Sequence, residues 1–220
     1  MKWLSGLFGK RDDAGSGKAR VQSLDPKTLL FSIPTLSDDL ADLGPIDKPP
    51  SRSDLVLNED DWAQLEFFPR TSRQLVEQQL AELKTFEAAN RKASGWKKVY
   101  VRKIQRMPVI GNRSPMQHLE SILGAKAGGA AFIASTKAFA GRVKNGFTFD
   151  LGGNVQLYGY TVPAGVLVLA ASVGPKADNM KLASAFMKLN KSDGLMLVDW
   201  RAQLLLVGVT SDGNIETWKP

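Results

Sequence analysis

The chain has no cysteine. Disulfides, thiolate chemistry and any Cys-ligated metal are therefore excluded. Histidine is nearly absent as well, with His118 the single one among 220 residues. A His-rich metal site or a within-chain Ser-His-Asp triad would depend on that residue alone. Its place beside the apolar stripe of a helix fits a surface or boundary position better than a catalytic one. The glycines do not make a phosphate loop. The stretch GAKAGGAA at residues 124–131 lacks the Walker spacing, and Gly128-Gly129 has no third glycine at dinucleotide spacing. No cofactor or metal is expected. No segment reads as membrane-spanning. Residues 1–11 place Trp3, Leu4, Leu7 and Phe8 on one short helical face. That face suits a weak membrane-surface contact or a docking helix, and a frayed start is the plainer reading.

Charge is present but unevenly spread. The formal net charge is +7, and residues 94–146 alone hold ten basic residues against one acidic. Such a segment attracts nucleic acid, acidic lipid or an acidic protein face, or else serves as a solvated surface.

The longest near-continuous apolar run, residues 194–209, is broken at the corner Asp199-Trp200-Arg201. Its two halves have the length and Leu/Val content of buried strands. A run apolar on both faces needs cover on both. From residue 147 on, strands at 147–151, 155–162 and 166–173 are separated by Gly152-Gly153-Asn154 and Pro163-Ala164-Gly165 turns. Asp178 reads as the N-cap of a helix over 179–189. Earlier, Thr71 and Gln74 match a capping box ahead of an amphipathic helix carrying Val76, Leu80 and Leu83. Ser114-Pro115-Met116-Gln117 opens another, closed by Gly124. The expected fold is α+β, with mostly antiparallel sheets and about three amphipathic helices packed on them. A flexible N-terminal tail over 1–53 precedes a globular region over 54–220, with 54–124 and 130–220 as candidate subdomains.

Within the tail, Leu36, Leu40 and Leu43 sit at helical spacing with Asp38, Asp39 and Asp42 between them. A short acidic amphipathic turn of this kind enters grooves, either on its own domain or on a partner.

Residues 96–107 read as one strand. Alternation puts Trp96, Lys98, Tyr100, Arg102, Ile104 and Arg106 on one face. Cations interleaved with aromatic rings suit an acidic protein partner, or single-stranded nucleic acid with help from Arg113, Lys126, Lys137, Arg142 and Lys144. The plainer reading is a charged edge strand. The candidate binding residues are thus Trp96, Lys98, Tyr100, Arg102, Arg106 and Arg113. No catalytic set stands out. Asp199, which interrupts the buried run two residues from Arg201, is the one carboxylate of interest for chemistry, with a capped corner or ion pair as the alternative. The leading expectation is a non-enzymatic protein-binding module (an adaptor, inhibitor or immunity-type protein) in a bacterial cytoplasm. Nucleic-acid binding ranks second and an enzyme third.

Overall fold

The computed structural model describes residues 30–111, 113–135 and 138–220. The readings placed on residues 1–29 and on Lys137 lie outside them. In chain order come β1 (Thr35–Ser37), β2 (Leu43–Gly44), β3 (Val56–Asn58), β4 (Leu65–Pro69) and α1 (Arg73–Asn90). Next are β5 (Arg91–Lys92), β6 (Gly95–Trp96), β7 (Tyr100–Arg102), α2 (Pro115–Leu123), β8 (Ala127–Gly128), β9 (Phe132–Ala134) and β10 (Phe139–Val143). Then follow β11 (Gly146–Asp150), β12 (Val155–Val162), β13 (Gly165–Val173), α3 (Asn179–Asp193), β14 (Leu195–Asp199), β15 (Leu204–Val209) and β16 (Ile215–Trp218).

The architecture is α+β, built on an antiparallel eight-stranded sheet in the order β16-β15-β14-β4-β13-β12-β11-β8. The run at 194–209 supplies its β14–β15 hairpin, and alternation divides the side chains of β14 between the two faces. Leu195 and Leu197 join Phe67, Phe149, Leu157, Phe186 and Leu189 on the side covered by α2 and α3. Met196, Val198 and Trp200 join Phe68, Val76 and Leu80 on the side covered by α1. Each fully buried Phe of this core (Phe67, Phe149, Phe186) contributes about 1.5–3 kcal/mol. A four-stranded sheet, β2-β10-β9-β3, covers the rest of the second face through Leu57, Ile133 and Val143 against Tyr158, Val168 and Ala170.

Three boundaries differ from the sequence reading. First, β4 lies between β14 and β13, so residues 54–124 and 130–220 share one sheet. Second, folded structure begins before Asp54. β1 pairs in parallel with β7, β2 pairs with β10, and Ala41 is buried. Residues 36–43 run extended instead of forming a helical turn, because their backbone groups find β7 and β10 as partners. Third, a short 3₁₀ turn, Arg70–Ser72, precedes α1, so the helix starts at Arg73 and not behind a Thr71 capping box.

Other local signals act as read. Pro115 sits at N1 of α2, and Gly124 closes that helix at φ +68°. The Asp178 side chain accepts the Met180 N–H at 3.0 Å, and α3 runs on to Asp193 before Gly194 turns left-handed at φ +66°. The stretches Asp61-Trp62-Ala63-Gln64-Leu65 and Asp199-Trp200-Arg201-Ala202-Gln203-Leu204, alike in sequence, are neighbours in space. Trp200 N–H donates to Gln64 C=O at 3.0 Å, and Arg201 pairs with Asp61 at 2.8 Å. Among the described residues, no helix is long and apolar enough to cross a membrane.

Candidate functional site

The basic stretch 96–107 is not one strand. Its regular parts are β6 and β7, and an irregular extended run follows Arg102. The alternation from residue 100 is real, but the face is reversed. Arg102 is fully buried, Ile104 is buried and the Arg106 side chain is only 7% exposed. Val101, Lys103, Gln105 and Met107 face outward. Alternation assigns residues to two faces, and only the tertiary neighbours decide which is covered.

The neighbours that make burial of two guanidinium groups tolerable come from two directions. β4 contributes Glu66, itself fully buried, which pairs with Arg106. The extended segment of residues 30–44, a strap across the basic strand, contributes Asp39, whose carboxylate takes both Nε and Nη2 of Arg106. A fork-to-fork pair of this kind is the strongest geometry for a guanidinium and a carboxylate. Arg102 donates to Ala63 C=O and to Thr35 Oγ1, each at 3.0 Å, and its guanidinium lies 4.9 Å from the centre of the Trp200 ring. Burial lowers Arg102 to about 10. Burial also acts to lower Arg106, but Glu66 and Asp39 outweigh it and hold Arg106 above its ordinary value. Glu66 is raised, since burial outweighs the attraction of Arg106. Three buried polar atoms of this cluster, Arg102 Nε, Glu66 Oε2 and Trp200 Nε1, have no hydrogen-bonding partner among the described residues.

Main-chain bonds complete the seat of the strap. Phe31 and Trp96 exchange N–H···O bonds at 2.9 and 3.0 Å, and Tyr100 N–H donates to Pro34 C=O at 2.9 Å. Asp38 N–H donates to Arg102 C=O at 3.1 Å. The Gln64 amide donates to Thr35 C=O at 2.9 Å and the Trp62 indole to Asp39 C=O at 3.1 Å. The whole is an extended acidic segment seated on a basic strand by backbone ladder, side-chain amides and a charge clasp.

The remaining sequence candidates fall elsewhere. Trp96 is half-buried, and its indole donates to Glu87 of α1 at 3.1 Å. Tyr100 donates to Glu82 of α1 at 2.8 Å, its ring lies 5.5 Å from Phe86, and burial together with Glu82 pushes its phenol up to about 12. Both rings are turned to α1 and are not free stacking platforms. Lys98 is exposed. Arg113 is exposed just before α2. Asp199 Oδ1 accepts the Ala202 N–H at 2.8 Å, so it caps the β14–β15 corner, while Arg201 turns to Asp61. His118 Nε2 meets Asp193 Oδ1 at 2.8 Å and ties α2 to α3. Among the described residues, no group of three or more His, Asp and Glu could hold a metal ion.

No protein-family model matches the chain, and neither a curated protein nor a solved structure matches it. The geometry of the site is therefore the basis for any functional reading.

The sequence reading does not single out Thr35, Gln64 or Glu66 as site residues. Their signal is indirect. The acidic Leu-containing stretch and the concentrated basic segment are complementary, but Asp42 and Trp96 stand 54 positions apart along the chain. Glu66 reads as an ordinary charge inside an otherwise apolar strand until its partner is known.

Proposed function

We propose that this chain is a non-enzymatic protein-binding module, an adaptor or inhibitor, whose basic strand receives an extended acidic segment of another protein in the cytoplasm. One observation carries the reading: the strand already holds such a segment, its own residues 30–44, by a parallel ladder and the Arg106–Asp39 clasp. Binding by strand addition draws affinity from main-chain bonds and specificity from side-chain pockets, and both are present here. Nucleic-acid binding draws less support, because Trp96 and Tyr100 are engaged by Glu87 and Glu82. An enzyme centred on Asp199 draws less still, because that carboxylate caps a corner.

The test is calorimetric titration of the full chain with a synthetic peptide of residues 30–44, beside single-stranded DNA and RNA oligonucleotides. Saturable peptide binding that weakens when Asp38, Asp39 and Asp42 are replaced by Asn supports the reading. Oligonucleotide binding that collapses with added salt, with a slope of about 0.7 per phosphate neutralised, and no peptide binding would replace it.

A further inference from the structure

The strap occupies the place that the proposed partner would need. Its attachment is local. The β1–β7 ladder is a two-stranded sheet separate from both larger sheets, and β2 joins the four-stranded sheet at its edge by two residue pairs. Removing the strap therefore opens the Phe31–Trp96 bridge and short ladders of three and two pairs without dividing the eight-stranded sheet. Several of its apolar side chains remain exposed in place, with Phe31 at 50% and Leu40 at 39%. Ala41 is buried in the apolar core under the four-stranded sheet and Leu43 packs against it, while the rest of the strap is held by polar and main-chain contacts, all of which an equivalent segment with a small residue at that place can reproduce. It also leaves Arg102 Nε, Glu66 Oε2 and Trp200 Nε1 without partners among the described residues.

We infer that residues 30–44 are an in-cis competitor that holds this module closed, and that the competing partner segment is extended, acidic and parallel to β7. This inference rests on the protein-binding reading. The seated residues give the partner's chemistry. A hydroxyl is needed where Thr35 sits, since it accepts from Arg102 and donates to Tyr100 C=O at 2.9 Å. An acid is needed four residues later, where Asp39 meets Arg106. A small residue is needed two places further on, where Ala41 is buried at 6% exposure.

Tethering explains why competition is effective. Residues 45–55, with Pro45, Pro49 and Pro50, connect the strap to β3, and several of them line an open cleft of about 410 Å³ together with Phe132 and Arg142. A short tether presents its ligand at an effective concentration of about millimolar. A free segment of equal intrinsic affinity sees only the fraction of molecules with the strap released, and its apparent affinity falls by that fraction.

The competition gives a test with opposite signs for one substitution. Binding of a labelled peptide of residues 30–44 to the full chain is followed by fluorescence anisotropy. Asp39→Ala in the chain weakens the strap and tightens peptide binding about 10- to 100-fold, the worth of one charge-assisted pair. Asp39→Ala in the peptide weakens binding. Equal affinity for the wild-type and Asp39→Ala chains overturns the competition and leaves the binding reading standing. No binding to either chain overturns both.

A second experiment does not depend on loosening the fold. Leu36 and Val101 are direct partners in the β1–β7 ladder, and directly paired residues of neighbouring strands lie within disulfide range. With no native cysteine to interfere, Leu36→Cys with Val101→Cys locks the strap when oxidised. The locked chain loses peptide binding and regains it on reduction. Binding unchanged by the lock shows that the peptide sits elsewhere and overturns the inference.

Discussion

Glu66 and Arg106 form an ion pair inside the protein, with side-chain exposures of 0% and 7%. Two such charges leave water at a cost of several kcal/mol each, and their attraction offsets it only while both are present. Arg106 has a second carboxylate in Asp39, whereas Glu66 has Arg106 as its direct partner and one oxygen unpaired among the described residues. The pair thus couples the central sheet, through β4, to the seat of the strap.

Loss of Arg106 alone should be severe and the double replacement milder. Arg106→Met leaves Glu66 buried without its partner and should cost about 3–5 kcal/mol, whereas Glu66→Leu leaves Arg106 paired with Asp39 and should cost less. Both together should cost clearly less than Arg106→Met alone, with Asp39 free to turn to solvent from its 32% exposed position. Denaturant unfolding of the three variants measures this. A double variant as unstable as the two singles added together would show that the two residues act independently.

Asn190 should be among the most sensitive polar positions outside the site. Its amide donates to Leu195 C=O at 2.8 Å and Val207 C=O at 3.4 Å, and its oxygen accepts Val209 N–H at 3.2 Å. The side chain thereby ties the end of α3 to β14 and β15. Asn190→Leu keeps the volume but strands these buried backbone groups, at about 2–4 kcal/mol. Thermal unfolding checks it, with the solvent-facing Lys191→Leu as the comparison expected to stay near the wild type.

The tyrosines should titrate late. The chain has three, Tyr100, Tyr158 and Tyr160, and burial raises all three phenols, Tyr100 to about 12. A phenol raised above its unfolded value near 10 stabilises the fold fully below about pH 10, and that contribution is lost as the pH climbs through the folded value. Near-ultraviolet phenolate absorbance should therefore rise later than that of unfolded tyrosine, with Tyr160 ahead of Tyr100 and Tyr158, or jump at once when alkali unfolds the chain. All three phenols titrating together near pH 10 in the folded chain would mean that the rings are exposed.

The sequence alone determined the parts governed by local rules. The strands from residue 147 onward, the Pro115 start and Gly124 stop of α2, and the Asp178 cap of α3 depend on periodicity, turn residues and caps within a few positions of one another. The double-sided burial of β14 is legible for the same reason, since a strand apolar on both faces admits no exposed face. Only the tertiary structure decided which face of residues 100–106 is covered. The same alternation serves an exposed cationic face and a buried one. The choice depends on Glu66 from β4 and Asp39 from the strap, groups distant along the chain that compensate the cost of burying Arg102 and Arg106. The acidic strap reads as a flexible tail on the same ground. Its composition is that of a polar linker, and it is ordered by partners that its own sequence does not contain.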